Sequence, residues 1–328
     1  MKLSIVVPVY NGEKTINKTL DSICEQQFPD YEVVIVNDGS TDKTLEIIEC
    51  FIKKHPEVTI KVISKQNEGL PYARKTGIEH SCGEYVGFVD ADDWVDKEMY
   101  SRLISACEEK DADVGCCNIV FDYQNRKRVM KQNLETGKTL NSEEAMHALN
   151  CRIGVFSSYC NKIIRRNLFQ GIKYPKVNMS NEDYVVMIQI LPKAERVVPV
   201  CYDGYHYVQY SGSMIRGGFG KADEYGYYCL KRILFDVYKN GSPKEKKEFD
   251  TYMVDFFLFL VVDMGINKNY DKKMIEWIRK YLKKRIFDIV FSKYHTLLCK
   301  GSVISVCVNY RLFLMIYGAY RRFIERWA

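Results

Sequence analysis

The sequence lacks the loops by which most nucleotide-binding folds hold phosphates. No G-x-G-x-x-G follows its first apolar run and no Walker A sequence occurs, which excludes a dinucleotide Rossmann site and a P-loop. Its twelve cysteines contain no C-x-x-C, and no His/Cys cluster at zinc spacing is expected. Most sit in apolar runs, among them Cys24, Cys116, Cys117 and Cys307, where a free thiol behaves as a small hydrophobe, so a reducing compartment is expected. No nucleic-acid reader motif is visible, and no nucleic-acid partner is expected. The apolar run at 3–9 is too short for the core of a secretory signal and continues into a turn, so no signal peptide is expected. Uninterrupted apolar stretches near the C-terminus fall short of the ~20 residues that span a bilayer, and Asn309 and Arg311 interrupt the best one.

What is present is an ordinary globular composition, 47% apolar and 27% charged over 328 residues, enough for a large core and one to three domains. Charge is distributed unevenly. Residues 1–215 hold 26 Lys and Arg against 30 Asp and Glu, whereas 216–328 hold 22 against 12. A near-neutral body with a tail of about +10 points the tail toward an anionic surface.

The first hundred residues alternate apolar runs (3–9, 31–36, 60–63, 85–89) with segments of helical spacing (14–27, from about 41, 72–80). That alternation predicts an α/β fold with a doubly wound, mainly parallel sheet. A helix from about 96, a strand over 114–121, a polar hairpin or loop at 122–131 and a helix from Ser142 follow; 157–169 mixes helical spacing with basic residues, and 197–202 reads as a strand. Gly217, Gly218 and Gly220 mark a joint, beyond which helical patterns run near 222–239, 245–265, 271–291 and 302–326. In the last, Arg311, Arg322 and Arg326 share one sector opposite Leu312, Ile316, Phe323 and Trp327, the pattern of a helix lying on a membrane surface or covering a second subunit.

The polar residues collect at strand ends: Tyr10-Asn11-Gly12, Asn37-Asp38-Gly39-Ser40 and, most densely, Asp90-Ala91-Asp92-Asp93-Trp94. In a doubly wound sheet such ends open onto one crevice, where repelling carboxylates suit a divalent cation and a phosphorylated ligand. Asp92 or Asp93 could instead cap the next helix, and Ser180 or Asn181 could cap another ahead of Glu182-Asp183.

The motifs Ser4-Ile5-Val6-Val7-Pro8-Val9-Tyr10-Asn11, Val36-Asn37-Asp38-Gly39-Ser40-Thr41-Asp42, Gln66-Asn67-Glu68-Gly69 with Ala73-Arg74, Asp90-Ala91-Asp92-Asp93 and Glu182-Asp183 resemble those of inverting family-2 glycosyltransferases of the bacterial polysaccharide type. The resemblance implies a GT-A catalytic domain at 1–215, with a nucleotide half at 1–95 and an acceptor half at 96–215, followed by a basic helical region at 216–328. It implies a UDP-sugar donor: Asp38 meets the uracil, Pro8, Val9, Tyr10 and Glu13 line the base pocket, and Asn67, Arg74 and Ala91 flank the nucleotide. Asp90 then holds the ribose, Asp92 binds Mn²⁺ or Mg²⁺, and Asp183 is the general base with Glu182 as its competitor. His206 is a metal ligand or, more simply, a packed residue. The expected acceptor is a glycan, such as one linked to polyprenyl diphosphate at the inner face of the cell membrane, which would make the protein cytoplasmic and peripheral, and a homodimer is an open alternative. A nucleotidyltransferase and a non-catalytic sugar-nucleotide or glycan-binding module are the competing readings.

Overall fold

A computed structural model describes residues 1–123, 126–131, 138–209, 219–266 and 269–327, with the side chains of 266, 316 and 318–327 also outside the description. It divides into two compact units, Met1–Leu149 with Ile153–Tyr210, and Asn150–Arg152 with Ser211–Ala328. The joint expected at Gly217 and Gly218, and the side chains of Ile316, Arg322, Phe323, Arg326 and Trp327, lie outside the described residues.

In the first unit β1 (Leu3–Val9), α1 (Ile16–Cys24), β2 (Tyr31–Asp38), α2 (Thr44–Lys54), β3 (Ile60–Lys65), α3 (Leu70–Glu79) and β4 (Tyr85–Phe88) alternate as the sequence predicts. Next come β5 (Trp94–Val95), α4 (Met99–Lys110), β6 (Val114–Cys116), β7 (Ile119–Tyr123), β8 (Arg126–Met130), α5 (Ser142–Asn150), β9 (Lys162–Arg165), α6 (Glu182–Ile190), β10 (Val197–Pro199) and β11 (Tyr205–Val208). Seven strands form one sheet in the order β10-β6-β9-β4-β1-β2-β3, and β5-β11-β7-β8 form a smaller one. Every residue of β1 is buried, which is why it reads as a continuous apolar run rather than an alternating one: a central parallel strand is covered on both faces. β1 pairs in parallel with β2 on one side and β4 on the other, so the strand order reverses beside it. Ligands bind outside the carboxyl ends of strands at such a reversal.

Two expectations need correction. The run at 114–121 is two strands in different sheets; Asn118 between them donates its backbone N–H to Tyr202 O (2.9 Å) and its side chain to Asp203 (2.7 Å), which turns the chain out of the first sheet. Within 157–169, the helical spacing gives way to β9, an antiparallel strand inserted between β4 and β6. Ile163 and Ile164, both β-branched, are fully buried there, and sheet packing overrides the local periodicity. The described residues of the polar stretch at 122–131 lie in the antiparallel strands β7 and β8, and the outer strand is blunted by exposed Arg126, Lys127 and Arg128 against edge pairing.

The second unit is helical: α7 (Lys221–Asn240), α8 (Pro243–Ile266), α9 (Lys272–Lys284), α10 (Ile286–Phe291) and α11 (Leu297–Trp327). Asp271 caps α9 by accepting Met274 N–H at 3.0 Å, and Met274, Ile275, Ile278, Tyr281 and Leu282 form its buried face. The single helix expected over 271–291 breaks at Arg285, whose guanidinium turns onto Asp250 (2.7 Å) and lies 3.8 Å over the Tyr281 ring. α11 departs from helical geometry at Asn309 (φ −150°, ψ 98°), whose side-chain oxygen accepts the N–H groups of Arg311 (3.1 Å) and Leu312 (3.3 Å) and so starts a second helical segment. Contrary to expectation, Leu297–Met315 (19 residues, mean hydropathy 1.4) is long and apolar enough, by length and composition, to cross a membrane.

Candidate active site

The crevice is assembled by hydrogen bonds between the loops that follow β1, β2 and β3. The Asn11 side-chain oxygen accepts Thr41 N–H (2.8 Å) and the Asn11 N–H donates to Ser40 Oγ (3.0 Å), while Gly12 N–H donates to Thr44 Oγ1 (2.8 Å). Glu13 is half-buried, and its carboxylate accepts Lys43 N–H (3.2 Å). Asp38 is buried at the tip of β2; its two oxygens accept the N–H groups of Glu68 (3.1 Å) and Gly69 (2.8 Å). It thus clamps the loop that opens α3, and each oxygen keeps a further lone pair for a ligand. Asn178 accepts Leu70 N–H (3.0 Å) at the same helix start. Pro8 and Val9 are buried beneath this rim, Ala91 is half-buried, Asn67 is exposed, and the Tyr10 ring is 54% exposed, free to lie against a planar base.

One turn into α3 stands Arg74, buried and ion-paired to three carboxylates. Its Nη2 donates to Asp90 Oδ1 (2.9 Å), and its Nη1 to Glu182 Oε1 (2.6 Å) and Asp183 Oδ1 (2.9 Å). The guanidinium lies 4.7 Å from the Tyr159 ring centre. The structure therefore brings together Arg74, Asp90 and Asp183 from opposite ends of the first unit. Burial raises the pKa of both Glu182 and Asp183; Arg74 opposes the shift, and like charge nearby adds to it. Glu182 and Asp183 thus hold a proton more readily than free carboxyls do. The Asp183 side chain is 25% exposed against 11% for Glu182, so Asp183 is the more accessible of the two from the crevice.

The three aspartates after β4 separate by environment. Asp93 is buried, accepting Tyr205 OH (2.5 Å) and Val208 N–H (2.8 Å), and it ties the β4 exit to β11 rather than capping α4. Asp90 is half-buried against Arg74. Asp92 is exposed, and its carboxyl is pushed up to about 6 by desolvation at the crevice wall and by the Asp90 charge. An exposed carboxylate beside a second one, with oxygen donors only, fits a hard divalent cation shared with phosphate oxygens. His206 is buried and stacked on Trp94 (ring centres 3.5 Å apart), with its pKa lowered to about 4 by burial and by Lys127.

Lys162 escaped the sequence reading. It is fully buried at the start of β9 and donates to Phe156 O (2.8 Å), Ser158 O (2.5 Å) and Asn161 Oδ1 (2.7 Å); burial lowers its pKa, and its charge steadies Asp183. A lysine entering the apolar Ile163-Ile164 run was the available signal.

A doubly wound sheet with this acidic crevice at its reversal point is the GT-A arrangement, and solved structures agree. Staphylococcus aureus TarS 1–349, in complex with UDP-GlcNAc, superposes with a TM-score of 0.70 at 21% identity, over 97% of this chain and 92% of that one. The mannosyltransferase PcManGT from Pyrobaculum calidifontis, with GDP-Man and Mn²⁺, gives 0.52 at 15% identity, over 95% and 87%. At these identities the likeness shows the fold alone. The model of glycosyl transferase family 2 matches residues 4–172, more than half of the sequence, and the chain belongs to that family. The uncharacterized glycosyltransferase EpsJ of Bacillus subtilis (strain 168) is 34% identical over 202 residues, 60% of this chain and 57% of EpsJ. The poly(ribitol-phosphate) beta-N-acetylglucosaminyltransferase TarS of Staphylococcus aureus (strain MW2) is 31% identical over 263 residues, 78% of this chain and 44% of TarS. The chain thus spans less than two thirds of either curated relative.

Proposed function

We propose that the protein transfers a sugar, with inversion, from a UDP-sugar to a hydroxyl of a growing glycan. The observation that carries this reading is the convergence of Arg74, Asp90 and Asp183 beside the crevice; two acids held on one fixed cation support a nucleotide-side role for Asp90 and a proton-accepting role for Asp183. Asp183 takes the proton of the acceptor hydroxyl; the oxygen bonds to the anomeric carbon as the bond from that carbon to the diphosphate breaks on the opposite face, and UDP departs. Asp38 accepts from the uracil imide, Tyr10 covers the base within a pocket of Pro8, Val9 and Glu13, and Asn67 and Ala91 border the nucleotide. Asp90 holds the ribose. Mn²⁺ or Mg²⁺ at Asp92 would neutralise charge on the departing diphosphate. The UDP-GlcNAc held by TarS supports the choice of nucleotide.

The acceptor proposed is a glycan on polyprenyl diphosphate, met by the basic C-terminal helices at an anionic inner membrane surface. Exposed Phe287, Phe291, Leu297 and Leu298 and, along α11, Val308 and Met315 supply an apolar face for that contact.

Asp183→Asn tests the reaction. Transfer should fall ~10²–10⁴-fold, the contribution ordinarily made by a general base, while UDP affinity by calorimetry stays within about threefold. Equal loss of both would remove Asp183 from the role of base.

A further inference from the structure

The helical unit contains a cluster that the crevice does not use. His295, two residues before α11, and Cys299, in its first turn, meet Asp255 of α8. Cys299 Sγ lies 3.3 Å from Asp255 Oδ1 and 3.6 Å from His295 Nδ1, and that nitrogen lies 3.9 Å from the same Oδ1. The expectation that the sequence holds no His/Cys cluster at zinc spacing is therefore corrected: the spacing His-x-x-x-Cys is there, and its third member comes from forty residues upstream.

Two chemistries bring such a trio together. In a nucleophilic relay the imidazole divides its nitrogens, one toward the thiol and the other toward the carboxylate. Here a single nitrogen faces both, so the three atoms converge on one point instead of forming a chain. Their separations, 3.3, 3.6 and 3.9 Å, lie within about half an ångström of the edges of one face of a tetrahedral zinc site, about 3.3–3.6 Å when Zn–N, Zn–O and Zn–S bonds are about 2.0–2.3 Å, so closing on an ion takes only small side-chain shifts. We propose that Asp255, His295 and Cys299 bind one Zn²⁺ ion, with the fourth position left to water.

The surroundings suit this assignment. Burial lowers the pKa of His295, which keeps the ring neutral and its lone pair available. Arg152 lies 3.3 Å from Asp255 Oδ2, so the other oxygen, Oδ1, is the one presented to the trio. The Cys299 thiol, pushed up to about 12 mainly by burial, is protonated without metal; its proton leaves to solvent on binding, and the thiolate and carboxylate then balance the two positive charges of the ion. Arg152 and Lys300 are the opposing cations. Bound metal would fasten α8 to the start of α11, joining segments 44 residues apart.

The test uses the full chain, stripped with chelator and titrated with Co²⁺ as a spectroscopic probe for zinc. One equivalent should give a thiolate-to-cobalt charge-transfer band with tetrahedral ligand-field bands, and Zn²⁺ should displace it. Cys299→Ala should abolish the charge-transfer band and His295→Ala should weaken binding at least tenfold. Cys299→Ser serves where the alanine variant fails to fold, judged by circular dichroism. Cobalt at the oxygen-only aspartates of the crevice gives no charge-transfer band, so that site does not interfere. A titration without the band, or a band retained in the Cys299 variants, overturns the proposal.

Discussion

Arg74 lies 16 residues from Asp90 and more than 100 from Glu182 and Asp183, yet it bonds to all three. The sequence showed the acids and the arginine separately; their meeting is a tertiary event that no local pattern encodes. It has a consequence for pH. A base must be ionised to accept a proton, and burial raises the pKa of the Glu182–Asp183 pair, so transfer should fall as pH drops through that raised value, about tenfold per pH unit below it. The acid limb of kcat at saturating donor should thus lie above the ordinary carboxylate value of about 4; a limb at that value contradicts the assignment. The neighbouring aspartates should separate by phenotype. Asp93→Ala strands the hydroxyl of Tyr205 and the N–H of Val208 in a buried place and should cost about 2–4 kcal/mol by denaturant unfolding. Asp92→Ala should leave stability within about 0.5 kcal/mol, as expected where no buried network is broken, and abolish the dependence of UDP-sugar binding on Mn²⁺, measured by calorimetry.

At the scale of elements, the regular alternation of the first hundred residues was legible because central parallel strands announce themselves as continuous apolar runs. β9 was not, since four residues flanked by Asn161 and Arg166 carry too little period to separate strand from helix. Caps and breaks were less legible: Asp271, which caps α9, was not singled out, and the break at Arg285 involves Asp250, 35 residues away. The turn after β2 gives a direct test of how elements carry the site. Gly39 has φ +76°, and a Cβ there would stand 2.8 Å from Asn67 N. Gly39→Ala should destabilise by about 1–3 kcal/mol through left-handed strain and the close backbone contact. It should also weaken UDP binding, because the displaced 66–69 loop is the one Asp38 clamps; thermal unfolding with and without UDP measures both.

Across the whole molecule, the asymmetry of charge read from the sequence coincides with the division into two units. The crevice belongs entirely to the first unit, and the basic tail to the second. Full-length protein should co-sediment with vesicles containing anionic phosphatidylglycerol and release progressively as salt rises, because the Debye length shrinks from about 10 Å at 0.1 M to about 3 Å at 1 M. Substituting Phe287 and Phe291 with serine should weaken the salt-resistant fraction; sedimentation unchanged by salt and by these substitutions removes the membrane contact. The guanidinium of Arg74 sets one further property, the coupling between the two substrates. On the proposed assignment, a donor ribose engaging Asp90 alters how strongly that acid competes for Arg74, and so changes the proton affinity of Asp183; by reciprocity, the charge on Asp183 tunes the hold on the donor, within the about threefold that the Asp183→Asn test allows. Two substrates that share one cation do not bind independently, and calorimetry should find that the acceptor changes the affinity for the nucleotide sugar by the same factor as the nucleotide sugar changes that for the acceptor.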